Sequence, residues 1–138
     1  MARHAVLRGS ARLRAQRYQD VRIAVSKSAT ELVAEYRQHA ARHGVATETG
    51  DHKKANKHYD RLVTALLALR AEGAERALLG LLSDDNAAVR CWAATNSLEI
   101  DEEQARKALE GASSQPGIAG FNARMVLSEW DKGTLKIP

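Results

Sequence analysis

The sequence has too few cysteines and too few long apolar runs for several classes of protein. Its single cysteine, Cys91, has no partner for an intrachain disulfide and belongs to no thiolate cluster that would bind a metal. No apolar run approaches the roughly 20 residues that cross a bilayer, and the N-terminal segment lacks the apolar core of a secretory signal. We therefore expect a cytoplasmic protein with no membrane segment.

Residues that favour β-strands are also scarce. Val and Ile together occupy 12 positions, whereas Ala and Leu occupy 40. Ala and Leu lose little side-chain freedom in a helix, and β-branched residues lose more. The composition therefore predicts an all-α fold.

Positive charge is concentrated at the N-terminus. Residues 1–28 carry seven basic side chains and one acidic side chain, whereas residues 29–138 carry 14 basic and 16 acidic ones. We therefore divide the chain into a basic N-terminal arm, residues 1–28, and a helical domain, residues 29–138. The arm is a flexible leader, a helix with Tyr18, Val21 and Val25 on one side, or a segment that binds phosphate or an anionic membrane. The first two alternatives are favoured. The arm has few large apolar side chains, and burying them does not compensate by itself for the conformational entropy that the arm loses when it becomes ordered.

Beyond the arm, apolar residues recur every three to four positions and predict six helices, of which the third is short. The predicted helices start after capping or turn residues, and several end at a glycine. The predicted N-caps are Thr30, Asp51, the segment 83–85 and Asp101 with Gln104, and the predicted helix ends are Gly44 or Gly50, Gly73 and Gly133.

The last four predicted helices are two copies of one pattern. A pair of helices of this length is too small to bury its apolar face alone and must stack on a neighbour. The pattern therefore predicts a stack of about three helical hairpins. The matching positions are Leu78, Leu81 and Leu82 with Ala105, Ala108 and Leu109 at an offset of 27, and Val89, Ala94 and Leu98 with Ile118, Ala123 and Leu127 at an offset of 29.

Four segments of the sequence resemble known families. LLGLLSDDNAAVRCWAATNSL, residues 78–98, resembles a HEAT or armadillo repeat. GDHKKANKHYDRL from Gly50, AVRCWAA from Ala88 and GFNARMVLSEWDKGTL from Gly120 are similar to an uncharacterised bacterial family, domain of unknown function number twenty-nineteen. This resemblance implies an armadillo/HEAT-like α-α superhelix of about three helical hairpins in a bacterial protein, with no established activity. Relatives that sit beside toxin genes imply an immunity protein.

Eight residues are candidates for contact with a partner. Four lie in the polar segment 52–61, where basic side chains flank an apolar seam, and two asparagines lie in helices that would line the inner side of a solenoid. The competing interpretations are a solvated face for the basic strip, a structural tie for Arg90, packing for Trp92 and a hydrogen bond to backbone for the asparagines. The candidates are Lys53, Asn56, Lys57, Asp60, Arg90, Trp92, Asn96 and Asn122.

Glu35, His39 and His43 are spaced four residues apart, which suggests a metal site on one side of a helix. No general-base Glu follows His39 in the metalloprotease arrangement, and no further ligand can be placed nearby. An ordinary helix surface is therefore the favoured interpretation, and we expect no metal and no cofactor.

The sequence has no phosphate-binding loop, no Ser or Cys nucleophile beside a base, and no dense carboxylate pair. It therefore predicts a protein that is not an enzyme and whose partner is another protein, with a toxin among the candidates. Acidic residues at 84–85 and 99–103 lie mostly at predicted helix starts, where the helix dipole favours them, and attraction of a cationic partner is a second hypothesis for them. The alternative is binding of nucleic-acid backbone through the basic arm and a strip of Lys53, Lys54 and Lys57.

Overall fold

The computed structural model describes residues 2–138, with side chains from Ala11 onward. No strand occurs within this range, so the all-α prediction is confirmed. None of the described helices is both long and apolar enough to span a membrane. The elements are the α-helices α1 (Ala2–Ala24), α2 (Ala29–Glu48), α3 (His52–Ala71), α4 (Ala87–Ser97), α5 (Glu102–Ser113) and α6 (Gly117–Lys132), and the 3-10 helix η1 (Glu75–Ser83) between α3 and α4.

Two predicted helix starts and three predicted helix ends are confirmed. The Asp51 side chain accepts a hydrogen bond from the Lys54 backbone N–H at 3.1 Å and caps α3. Asp101 caps α5 in the same way, through the Gln104 N–H at 3.1 Å, and also accepts from the Gln104 side chain at 2.9 Å. Each cap satisfies a backbone donor that a helix start leaves free. Gly50, Gly73 and Gly133 follow the ends of α2, α3 and α6 in the left-handed conformation, with φ values of 73°, 67° and 72°.

The first helix of the domain begins earlier than predicted, and the third has a different geometry. Ser28, not Thr30, caps α2, because the Ser28 hydroxyl accepts a hydrogen bond from the Glu31 N–H at 3.1 Å. The predicted third α-helix is the 3-10 helix η1, and Ala74 at its N-cap position provides no side-chain cap. Short connecting helices often take this tighter form.

The predicted cap of α4 is wrong, because Asn86, the residue after the segment 83–85, caps this helix. Arg37 of α2 donates two hydrogen bonds to Asp84, at 2.7 and 3.1 Å. The helix begins just after the segment 83–85, where the Asn86 side chain accepts from the Val89 N–H at 3.1 Å. Arg37 therefore ties α2 to the turn that precedes α4.

The helices pack in two rows. α4 contacts α2 and α6 in one row, while η1 contacts α3 and α5 in the other. Across the rows, α2 packs on α3, η1 on α4, and α5 on α6, so three helix pairs follow one another along the chain. One cluster of buried side chains joins the helices from α1 to α4, a second joins α4, α5 and α6, and Leu82 contacts both clusters.

The basic N-terminal segment contains α1, whose last turns pack on the domain. Ala24 is buried in the first core cluster, and Val21 and Val25 are half-buried against it. Arg17 donates a hydrogen bond to Asp60 of α3 at 2.8 Å. Tyr18, predicted on the same side of the helix as these valines, is 67% exposed. The C-terminal part of α1 therefore packs on the domain.

α2 and α4 meet closely at Gly44. A Cβ atom at this position would lie 2.6 Å from the Cβ of Ala88. Since two carbon atoms pack best at about 3.5–4.0 Å, a side chain fits there only if the helices move apart. Glycine in a helix interior costs roughly 0.5–1 kcal/mol relative to alanine, and the close contact with α4 explains its presence here.

Replacing Gly44 with alanine should destabilise the protein by about 1–3 kcal/mol, the usual cost of overpacking a core. The matched control is Gly111→Ala in α5, where nothing lies within 4 Å of the added Cβ. There the same change should stabilise by roughly 0.5–1 kcal/mol, because alanine is the better helix former. Urea unfolding measures both effects, and a stabilising Gly44→Ala would show that α2 and α4 do not meet at this residue.

Candidate functional site

A groove of about 390 Å³ opens between α2, α4 and α6. Its lining is mainly apolar and includes two of the predicted candidates, Trp92 and Asn122. Glu48 and Glu129 are its carboxylates, and no Lys or Arg lines it in the part of the chain whose side chains are described. The groove is therefore an apolar concavity with a negative rather than a positive charge.

Trp92 is held by contacts with α2 and α3. Its indole N–H donates to the His43 Nδ1 atom at 3.4 Å, and the two rings pack edge to face with centroids 5.0 Å apart. Tyr59 of α3 lies beside Trp92, with ring centroids 5.6 Å apart. Burial, with a smaller effect of the His58 charge, lowers the pKa of His43 below its ordinary value. The His43 ring is therefore neutral at pH 7, and this side of the groove carries no positive charge.

Three large apolar side chains of α6 are exposed beside the groove. Ile118, Phe121 and Met125 are 44%, 55% and 44% exposed. Their spacing of three and four residues places them on one side of the helix. Ile118, Met125 and the neighbouring Asn122 belong to the groove lining. The groove thus continues into an exposed apolar face, which we call the α6 face.

Arg90 holds a turn of the domain. Its guanidinium donates to the backbone carbonyls of Asp84 at 2.6 Å and Asp85 at 3.0 Å. Asp84 accepts the two hydrogen bonds from Arg37, which hold the pKa of its carboxyl below the usual value. The contacts of Arg90 therefore fit its structural interpretation better than a role in partner binding.

Asn96 is not on the surface, and the expectation that it contacts a partner is wrong. It is 1% exposed, because its side of α4 packs on α2. Its side-chain amide donates to the Tyr36 hydroxyl at 2.5 Å, while its Oδ1 atom has no hydrogen-bond partner among the described residues. Burial raises the pKa of Tyr36, so the phenol stays protonated. The pair joins α2 to α4 inside the core.

The other four candidates lie together at a polar cleft between α1 and α3. Lys53, Asn56, Lys57 and Asp60 line this cleft, which has a volume of about 440 Å³. Asp60 is also the residue that pairs with Arg17 of α1. The structure therefore brings these four side chains to one surface, and their contact with a partner stays a prediction. The cleft is completed by Asp20, Arg61 and Thr64.

His39 and His58 form a contact that the sequence patterns did not indicate. Their Nδ1 atoms lie 3.0 Å apart, and their ring centroids 5.3 Å apart. The spacing along α2 had instead suggested a metal site of Glu35, His39 and His43. Glu35 accepts a hydrogen bond from Lys27, and no group of three potential metal ligands occurs among the side chains that the structure describes. The partner of His39 comes from α3, so only the packing of two helices reveals it.

Comparison with known proteins identifies the family. Residues 30–131 match the family described as Domain of unknown function (DUF2019). The chain belongs to this family. A solved structure, the crystal structure of the protein RPA1889 from Rhodopseudomonas palustris CGA009, is similar with a TM-score of 0.76 and 25% sequence identity, covering 83% of this chain and 97% of that chain. No curated protein matches the sequence. The DUF2019 segment contains the groove residues and α3, whereas α1 precedes it.

In this DUF2019 domain, Tyr36→Phe should cost about 1–3 kcal/mol, because the buried Asn96 amide loses its acceptor. Combining it with Asn96→Leu should cost less than the sum of the two single effects, since both polar partners are then removed. Urea unfolding of the wild type, the two single variants and the double variant gives the coupling free energy. Additive losses would show that the two side chains do not interact.

The DUF2019 domain should also lose stability in acid through the His39–His58 contact. Burial, followed by neighbouring positive charges, lowers the pKa of both rings below the ordinary histidine value of about 6.5. Below this pH the unfolded chain binds more protons than the folded one, so the contribution is present above pH 6.5 and is lost as the pH falls towards the folded values.

Thermal unfolding between about pH 7.5 and pH 5 measures this loss of stability. His39→Gln should reduce the dependence of Tm on pH, whereas His52→Gln, at an exposed position of α3, should leave it unchanged. The same fall in Tm in His39→Gln as in the wild type would show that this contact is not its source.

Proposed function

We propose that this chain is a protein-binding helical-repeat module, of the immunity or adaptor type, that holds its partner in the groove between α2, α4 and α6. The observation that carries the proposal is the α6 face, whose three large apolar side chains continue the groove into solvent. Clustered apolar side chains beside a concavity are typical of interaction sites. Burying each of them is worth about 1.5–3 kcal/mol before the costs of association are subtracted.

An armadillo/HEAT-like superhelix is the finer description of the fold that we propose. The two rows of helices and the repeat between residues 78–98 and 105–127 support this description. One row of such a solenoid presents an extended binding surface, and α2, α4 and α6 would form it. The pair of α2 and α3 differs from the other two pairs. It contributes its first helix, α2, to this row, whereas the other pairs contribute their second helices, α4 and α6.

The charge of the groove favours a basic partner. Residues 73–138, which contain η1 and α4 to α6, carry seven basic and ten acidic side chains. Glu48 and Glu129 are the charged side chains that line the groove. A partner that inserts an apolar side chain flanked by Lys or Arg complements both the shape and the charge. A cationic toxin meets this description, and so does a basic segment of an adaptor's client.

The chemistry of the groove supports binding rather than catalysis. Cys91 lies in the lining, and burial raises the pKa of its thiol above the ordinary value. The group is therefore protonated at neutral pH, whereas a nucleophilic cysteine needs the thiolate. His43, the imidazole of the lining, accepts from Trp92. A reducing, cytoplasmic location suits the free thiol and is part of the proposal.

Affinity capture with groove variants tests this function. The full chain and its Phe121→Ser/Met125→Ser variant serve as baits in a lysate of the native host, and each captured protein is then purified and titrated by calorimetry. The double substitution should weaken binding at least about tenfold, since two apolar anchors beside the groove are removed. Cys91 gives a second measurement, because a bound partner should slow its modification by a thiol reagent.

The matched control is Leu13→Ser, which changes a side chain that is 70% exposed on α1, outside the groove lining. This variant should bind with the affinity of the wild type. A partner that binds the wild type and both variants with equal affinity would place the interaction elsewhere on the surface. Capture of nucleic acid without any protein would contradict the proposed function.

A further inference from the structure

Positive charge is concentrated on the first three helices. Residues 1–72, which contain α1, α2 and α3, carry 14 basic and 7 acidic side chains, a net charge of +7. Residues 73–138 carry 7 basic and 10 acidic ones, a net charge of −3. α3 packs on both α1 and α2, so the cationic helices form one end of the molecule. This end differs in charge from the half that contributes most of the groove.

Several cations at this end have no counter-charge among the side chains that the structure describes. Arg42, Lys53, Lys57 and Arg61 are exposed. Within residues 11–138, none of the four forms an ion pair with a carboxylate. Like charges on adjacent helices repel each other, and an anionic ligand would relieve that repulsion.

The His39–His58 pair lies among these cations. With their Nδ1 atoms 3.0 Å apart, one ring donates and the other accepts, so the contact holds one hydrogen. Burial, followed by neighbouring charges that include Arg42, lowers the pKa of both rings. A divalent metal at the pair would meet the same repulsion, whereas an anion would be attracted.

Carboxylates near the pair are few and already have partners. Glu35 accepts a hydrogen bond from Lys27, and Asp20 accepts one from Gln16 at 3.0 Å. Permanent cations therefore predominate around the two rings. The titratable and charged groups that face them are Glu35, Arg42 and His43 on α2, Lys54, Lys57 and Arg61 on α3, and Asp20 and Lys27 on the side of α1.

We propose that the basic surface of α1, α2 and α3 binds the sugar-phosphate backbone of nucleic acid, and that His39 and His58 strengthen this binding as the pH falls. Contacts of Lys and Arg with phosphate supply affinity without sequence preference. The surface suits an extended ligand, because α1 has 23 residues and is about 35 Å long. One turn of duplex DNA has a similar length, roughly 34 Å. Exposed arginines at positions 12, 14 and 22 continue the charge along α1.

Proton uptake gives this surface its dependence on pH. At neutral pH each ring carries one N–H and no charge, so the pair adds no charge to the surface. Protonation adds positive charge among cations that already lack partners, and a bound phosphate compensates that charge. Phosphate binding and protonation therefore favour each other, so the affinity rises as the pH falls.

Fluorescence anisotropy of the full chain with a labelled DNA duplex of about 20 base pairs, roughly two helical turns, tests the proposal. The affinity should rise about threefold or more between pH 7.5 and pH 6.0. Arg42→Ala and Arg61→Ala should each reduce the slope of log K against log salt by about 0.9, the loss of one phosphate contact. Lys107→Ala, at an exposed position of α5, should leave the slope unchanged.

The histidine variants isolate the pH dependence. His39→Gln and His58→Gln should keep the affinity at pH 7.5 and lose most of the rise at pH 6.0, with circular dichroism confirming that each variant is folded. His52→Gln, exposed on the same helix as His58, should retain the rise. The Phe121→Ser/Met125→Ser variant should bind DNA with the affinity of the wild type, which separates the basic surface from the groove.

Three results would overturn the proposal. The first is no binding of the duplex at low salt. The second is an affinity for polyglutamate equal to that for DNA, which would assign the surface to acidic proteins. The third is a rise in affinity at low pH that both histidine variants retain.

Discussion

The contact between α2 and α4 is the constraint on which the rest of the structure depends. Gly44 lets the Ala88 side chain approach α2 closely, and Tyr36 accepts a hydrogen bond from Asn96 in the core. This contact between α2 and α4 places Trp92 beside α2 and sets the width of the groove. A bulkier residue at the glycine would push the two helices apart and change the surface that a partner meets.

The helices were predictable where the deciding interaction is local. Asp51 and Asp101 cap helices through N–H groups three residues away, and Gly133 ends a helix by its own left-handed conformation. The cap of α4 was assigned to the segment 83–85, whereas Asn86 provides it through the Val89 N–H, and Asp84 binds Arg37 from a distant part of the chain. A pattern of residue types does not show which carboxylates a tertiary contact will occupy.

The same distinction applies to the candidate residues. Lys53 and Lys57 share one surface because helix geometry fixes their relation. Asn96 was misplaced because its burial depends on which side of α4 faces α2. The contact of His39 with His58 depends on how far α3 is shifted along α2, which residue spacing within one helix does not encode.

Two surfaces of opposite character result: an apolar groove with carboxylates, and a basic end formed by the first three helices. Both depend on how α2 is seated between α3 and α4. A nuclear Overhauser spectrum of the full chain tests this packing of α2 most directly. With α2 and α4 in close contact, a strong cross-peak is expected between the Gly44 α-protons and the Ala88 methyl group. Its absence, with the Ala88 methyl group accessible to a soluble paramagnetic agent, would contradict the packing from which both surfaces follow.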